Sequence, residues 1–284
     1  MRRSRVISLV VAAGLALAAS TAPVRADEAP RRVVSMNLCT DQLAMMLAGE
    51  GQLVSVSNLA VDPRASAMVD QARSYTINHA RAEEVHALRP DLVLAGRHSS
   101  RASVAMLRRL GIRVEVFAAA RSMEDIGAVL ERMGRLLGRA DAGALAAARF
   151  EARLAELRAT VRQRPEAALY YANGYTVGDK TLAGQILLAA GFSNTATRAG
   201  ISGGQVMALE QLVMHAPEVL ISGTSYSGET RSEAILDHPA VEILRRTRPS
   251  ANVHDRDWIC GTPYVLRAVH DLGGLRRKAL EGAR

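Results

Sequence analysis

Cysteine is almost missing from this chain, with two residues, Cys39 and Cys260, in 284. Neither belongs to a C-x-x-C pair or a His/Cys cluster, so no zinc site is expected, and no residue is assigned as a metal ligand from such a cluster. Aromatics are also few: three Phe, six Tyr and one Trp. Arginine is spread along the chain instead of massed in blocks, and the basic patch interleaved with stacking rings that a nucleic-acid binder needs is absent. No nucleic-acid partner is expected. The longest apolar run, residues 6–19, is 14 residues, short of the ~20 that span a bilayer. Catalytic signatures are missing as well. Gly223-Thr224-Ser225-Tyr226-Ser227 lacks the final glycine of a nucleophile elbow. The glycine spacing over residues 174–181 is one residue off a P-loop, and no G-x-G-x-x-G follows a strand. The chain therefore reads as a non-enzyme, with no cofactor.

What is present begins with Arg2, Arg3 and Arg5 ahead of the apolar run, followed by Val24-Arg25-Ala26. This is the pattern of a signal peptide cut after about Ala26, and it predicts an exported, periplasmic protein. No cysteine follows the run to carry a lipid anchor. Four of the arginines behind the formal charge of +8 lie in this segment, which leaves +4 for residues 27–284. Such a modest charge serves solubility, with some preference for anionic ligands.

The longest helical pattern starts at Ser122. Met123, Ile126, Val129, Leu130, Met133, Leu136 and Leu137 recur at steps of three and four, and Asp125 completes a capping box with Ser122. Gly138 closes that helix. A second, Ala-rich helix over about 141–163 runs until Pro165, a rod of roughly 33 Å, long enough to join two lobes.

The flanking halves repeat one another. Residues 83–96 match 210–223: Glu83, Pro90 and Gly96 correspond to Glu210, Pro217 and Gly223, each pair 127 positions apart. Both copies read as short helix, turn, buried strand and terminal glycine, a duplicated lobe. Apolar runs predict strands at 33–36, 53–56, 92–95 and 114–117, then at 167–171, 219–221 and 252–254. Helical patterns at 41–47, 81–88, 100–110, 182–190, 209–215 and 262–279 alternate with them. The expected fold is α/β, two lobes with parallel sheets flanked by helices, joined by a single long connecting helix. The predicted domains are a signal peptide at 1–26, an N-terminal lobe at 27–120, a helical segment at 121–164 and a C-terminal lobe at 165–284.

Ligands of open parallel sheets bind beyond the carboxyl ends of the strands. That rule selects Asn37, Cys39, Thr40, Asn58, Arg97 and His98 in the first half. In the second it selects Tyr171, Tyr175, Tyr226, Trp258 and Cys260. Four of the ten aromatics lie at strand ends of the second lobe, where they form a candidate ligand wall; each taken alone is equally explained by packing at a loop base. For the two cysteines three readings stand: a lobe-to-lobe disulfide, two packed thiols, or a soft ligand pair.

The segments "RRVVSMNLCTDQLAMMLAGEGQLVSVS", "EEVHALRPDLVLAG", "LLRRLGIRVEVF" and "DWICGTPYVLRAV" resemble class III substrate-binding proteins of ABC importers, the cobalamin-binding and ferric-siderophore-binding group. The resemblance covers nearly all of 27–284. It implies a fairly rigid cleft that receives a small metal chelate, a corrinoid or ferric siderophore with haem as a further option. It also implies a monomer that docks on a permease dimer through Glu83 and Glu210. Asp257-Trp258 resembles the cobalamin-binding pattern, whereas Cys39 and Cys260 are not part of it.

Overall fold

A computed structural model describes residues 29–223 and 232–282. The signal-peptide reading of 1–26 and the ligand assignment of Tyr226 lie outside the described residues. The N-terminal half runs β1 (Val33–Ser35), α1 (Leu38–Leu47), β2 (Leu53–Ser57), α2 (Val69–Ala72), β3 (Thr76–Asn78), α3 (Ala82–Ala87), β4 (Leu92–Gly96), α4 (Arg101–Arg109) and β5 (Arg113–Phe117). Its five strands are all parallel, in the order β3-β2-β1-β4-β5. β3 was not expected: three residues in a polar context, with only Asn78 buried, carry no apolar run.

Two helices follow, α5 (Met123–Leu136) and α6 (Ala140–Ala159). The capping box of Ser122 and Asp125 is present, and Gly138 takes a positive φ of 68° where the chain turns. The two helices touch at Gly134 and Gly143. A Cβ on Gly143 would stand 2.8 Å from the Leu130 carbonyl oxygen and 3.0 Å from the Gly134 Cα. Only hydrogen fits between the backbones there.

The C-terminal half contains β6 (Glu166–Leu169), β7 (Tyr175–Val177), α7 (Leu182–Ala189), β8 (Ser193–Asn194), α8 (Thr195–Arg198), β9 (Gly204–Val206), α9 (Leu209–His215), β10 (Val219–Gly223), α10 (Pro239–Thr247), β11 (Ser250–Val253) and α11 (Val265–Gly282). Its main sheet is parallel, β11-β10-β6-β8, and β7 pairs with β9 as a separate antiparallel ribbon. In both main sheets chain order reverses about the first strand. The switch points lie between β1 and β4 and between β6 and β10, where crevices open at the carboxyl edge.

Alternation along the strands divides the interior. Leu92 and Leu94 face a large core that also holds Leu130, Phe150, Leu169, Ile221 and Val269. Val93 and Ala95 face a smaller cluster on the other side of the same sheet, and Ala168, Tyr170 and Leu220 do the same in the second half. Arg276 of α11 is buried and donates to the carbonyls of Ala190 and Thr160, at the carboxyl ends of α7 and α6.

Gly143→Val should push α6 off α5 and lower unfolding free energy by about 2 kcal/mol. Chemical denaturation of the two proteins checks this; an unchanged midpoint would mean that the contact yields freely.

Candidate functional site

At the β1/β4 switch point the backbone and side chains build a hollow of about 200 Å3. Asn37, Cys39 and Thr40 line it from the start of α1, and Gly96, Arg97 and His98 from the end of β4. Ile259 and Gly261 of the C-terminal half close it. Five residues selected from the sequence thus share one cavity. Two larger hollows lie elsewhere. One of about 680 Å3 sits between Met45–Leu47 of α1 and Phe150 of α6, at the opposite end of α1 from Asn37. The other, about 430 Å3, opens beside β11. Size alone does not select the site; the strand ends do.

Asn37 is not a free loop residue. It caps α1, its side-chain oxygen accepting from the Cys39 N–H at 3.1 Å, so the helix starts one turn earlier than periodicity suggested. The Asn37 amide rests against Gly96, where an added Cβ would fall 2.5 Å away. The glycine that ends β4 is what allows this approach.

Behind the cap runs a buried polar network that sequence reasoning missed. The Thr40 hydroxyl donates to the Asn37 carbonyl at 2.9 Å and lies 2.8 Å from the Ser35 hydroxyl. Asp41, fully buried, accepts from the Ser57 N–H at 3.1 Å and from its hydroxyl. Asn78 of β3 donates to the carbonyls of Ser35 and Val56 and to the Ser55 hydroxyl. Thr40 is therefore occupied in holding the strand ends together, more than in facing a ligand. Burial pushes the Asp41 carboxyl up to about 6, against its bonds from Ser35 and Ser57.

Arg97 and His98 are exposed, and the Arg97 guanidinium has no hydrogen bond or ion pair among the described residues. Arg64 pairs instead with Asp62 at 3.0 Å. Asn58 opens a single exposed turn after β2 and does not line the hollow.

On the C-terminal side the aromatics pack on one another. The Tyr171 ring meets Trp258 edge-on at 5.5 Å and Tyr175 at 6.4 Å. Trp258 is only 5% exposed, belongs to the main core, and donates its indole N–H to Asp255. Tyr171 is half-buried and Tyr175 is exposed. Burial first, then Asp255 and Tyr175, raise the Tyr171 hydroxyl well above its ordinary range, so it stays a neutral phenol. Of the candidate wall, Tyr175 and the half-buried Tyr171 remain for contact among the described residues.

Between the halves, Cys39 and Cys260 are joined by a disulfide, with Cα atoms 5.1 Å apart and a sequence separation of 221. Cys39 lines the hollow, and the bond ties the first turn of α1 to the segment ahead of α11.

Residues 33–245 match the family described as periplasmic binding protein, three-quarters of the chain. The chain belongs to the periplasmic binding protein family. Among curated relatives, the cobalamin-binding protein of Halobacterium salinarum is 28% identical over 234 residues, covering 81% of this chain. The chain spans 63% of that relative's length. Among solved structures, the apo form of the periplasmic heme-binding protein RhuT from Roseiflexus sp. RS-1 superposes with a TM-score of 0.72 at 22% identity. That match covers 88% of this chain and 98% of the other. The periplasmic vitamin B12 binding protein BtuF of Vibrio cholerae superposes at 0.65 with 19% identity and the same coverages. These periplasmic binding proteins share the two-lobed α/β fold found here. Among the described residues no helix is long and apolar enough to cross a membrane.

Two predictions follow from this geometry. Cys39→Ala with Cys260→Ala should lower unfolding free energy by about 2–5 kcal/mol, given the length of the loop that the bond closes; guanidinium titration of both forms checks it. Asp41 carries a pH signature. Its carboxyl titrates near 6 when folded and near 3.8 when unfolded, so the folded state favours the proton. The stability from protonated Asp41 is full below about pH 3.8 and lost as pH rises through about 6. Asp41→Asn should remove a fall on the order of 3 kcal/mol between pH 4 and pH 7.5, seen as a flatter pH profile of the denaturation midpoint than the wild type gives.

Proposed function

We propose that this protein is a periplasmic receptor which binds a metal chelate between its lobes and delivers it to an ABC importer in the inner membrane. The observation that carries this reading is the hollow at the β1/β4 switch point, where α1's cap, Arg97 and His98 meet the Cys260 segment. Similarity to a cobalamin-binding relative favours a cobalamin-type corrinoid. The guanidinium of Arg97, without a hydrogen bond or ion pair among the described residues, supports a second reading, an anionic ferric siderophore. Haem is a third reading, in which Tyr171 or Tyr175 would supply the iron ligand. No catalytic role is assigned to any residue. The protein acts as a monomer, exported by a signal peptide cleaved after about Ala26.

Two helices supply the docking contacts. In α3, Glu84 turns back to accept the His79 N–H at 2.7 Å, and in α9 Gln211 does the same for the Ala208 N–H at 3.3 Å. These residues are 127 positions apart; Gln211 holds the N-cap of its helix, and Glu84 holds the chain two residues ahead of the N-cap of its own. Their neighbours Glu83 and Glu210 are exposed and have no ion pair or hydrogen bond among the described residues. These backbone bonds explain the second acid or amide of each pair, and the first makes no such bond among the described residues. Two such carboxylates, one per lobe, suit a permease dimer whose twofold axis repeats one cation.

Isothermal titration of residues 27–284 with cyanocobalamin, several ferric siderophores and haem tests the ligand assignment. Saturable submicromolar binding of one chelate class, weakened by Arg97→Ala or His98→Ala, is expected. No binding by any of them would overturn the receptor reading.

A further inference from the structure

The duplicated docking helices have diverged beside the carboxylate. In α9, Glu210, Val213 and Met214 stand at i, i+3 and i+4, so they share one face. Leu212 points the other way and is fully buried. Val213 is 44% exposed and Met214 83%, the highest value for any large apolar side chain among the described residues. The counterparts of Val213 and Met214 in α3, 127 positions earlier, are His86 and Ala87, both exposed. One lobe therefore shows a carboxylate beside an imidazole and a methyl group. The other shows a carboxylate bordered by a branched and a flexible apolar side chain.

We propose that Val213 and Met214 form an apolar anchor seated on the same permease surface that receives Glu210, which makes the two docking contacts unequal. The inference rests on the docking reading above. Glu210 decides what kind of partner fits. A second copy meeting this face about a twofold axis would set Glu210 against Glu210, and a lipid phosphate would meet the same repulsion. A guanidinium or ammonium rimmed by aliphatic side chains satisfies the carboxylate and buries both apolar groups. Apolar groups around a charge pair exclude water and strengthen it. Methionine adapts its shape, which suits a partner that changes conformation during transport. The N-terminal contact through Glu83 then depends on charge alone and weakens with salt, while the C-terminal contact keeps an apolar part that salt does not screen.

The test uses the purified full receptor, carrying a photo-cross-linking residue at position 213 or 214, added to spheroplasts of the native host. A cross-link to the polytopic permease subunit, identified by mass spectrometry, is expected from both positions. Unlabelled Met214→Asp should need about tenfold more protein than the wild type to compete it away. Melting temperature and chelate binding should match the wild type, since the side chain is exposed. Raising salt should weaken competition by Val213→Gln/Met214→Gln more than competition by the wild type. If Met214→Asp competes as well as the wild type while Glu210→Gln competes poorly, the anchor is wrong and docking by carboxylates stands. If Glu83→Gln and Glu210→Gln also compete fully, the docking reading falls and the anchor with it.

Discussion

The structure depends on one apolar core that does not stop at the lobe boundary. Leu92 and Leu94 of the first sheet, Leu130 of α5, Phe150 of α6 and Leu169 and Ile221 of the second sheet belong to a single cluster. Swinging the lobes apart would expose part of that cluster to water, at a cost proportional to the apolar area uncovered. The Gly134–Gly143 contact keeps α6 close against α5, and the Cys39–Cys260 bond adds a second crossing on the cleft side. A cleft built this way is largely formed before its ligand arrives.

Duplication explains why the two halves can do different work with one plan. The helix, turn, strand and glycine of 83–96 and 210–223 are retained because each element has a local physical task. The glycine makes room: Gly96 admits the Asn37 amide, and Gly223 brings the Tyr171 ring within 3.2 Å of where its Cβ would be. Around that shared frame the N-terminal half sets Asn37, Arg97 and His98 at the hollow, and the C-terminal half packs Tyr171, Tyr175 and Trp258 on one another.

How much of this was legible in the sequence differs by element. Buried parallel strands were readable because both faces are apolar, as at 92–95, and α5 was readable because its cap and its stripe agree. β3 and the β7–β9 ribbon were not, since short strands held by backbone pairing in polar company leave no run or alternation to find. Strand-end logic brought Asn37, Cys39, Thr40, Arg97 and His98 to one hollow, but missed that Asn37 is a cap; an Asn just ahead of an apolar period was the available signal. Trp258 shows the opposite limit. Its place at a strand end suggested a ligand surface, yet tertiary packing against Tyr171 put it inside. Asp41 and Asn78 carried no signal at all, because their partners are brought together only by the sheet.

The disulfide has a consequence for biogenesis. Cys39 lies near the amino end of the fold, and its partner is 221 residues further on. A chain threaded amino end first would present the Cys39 thiol to an oxidising compartment well before Cys260 emerges. Through that interval the thiol is open to mixed disulfides or to pairing with another nascent chain. Correct oxidation waits until both lobes have folded around α6, so the bond records that the halves have found each other.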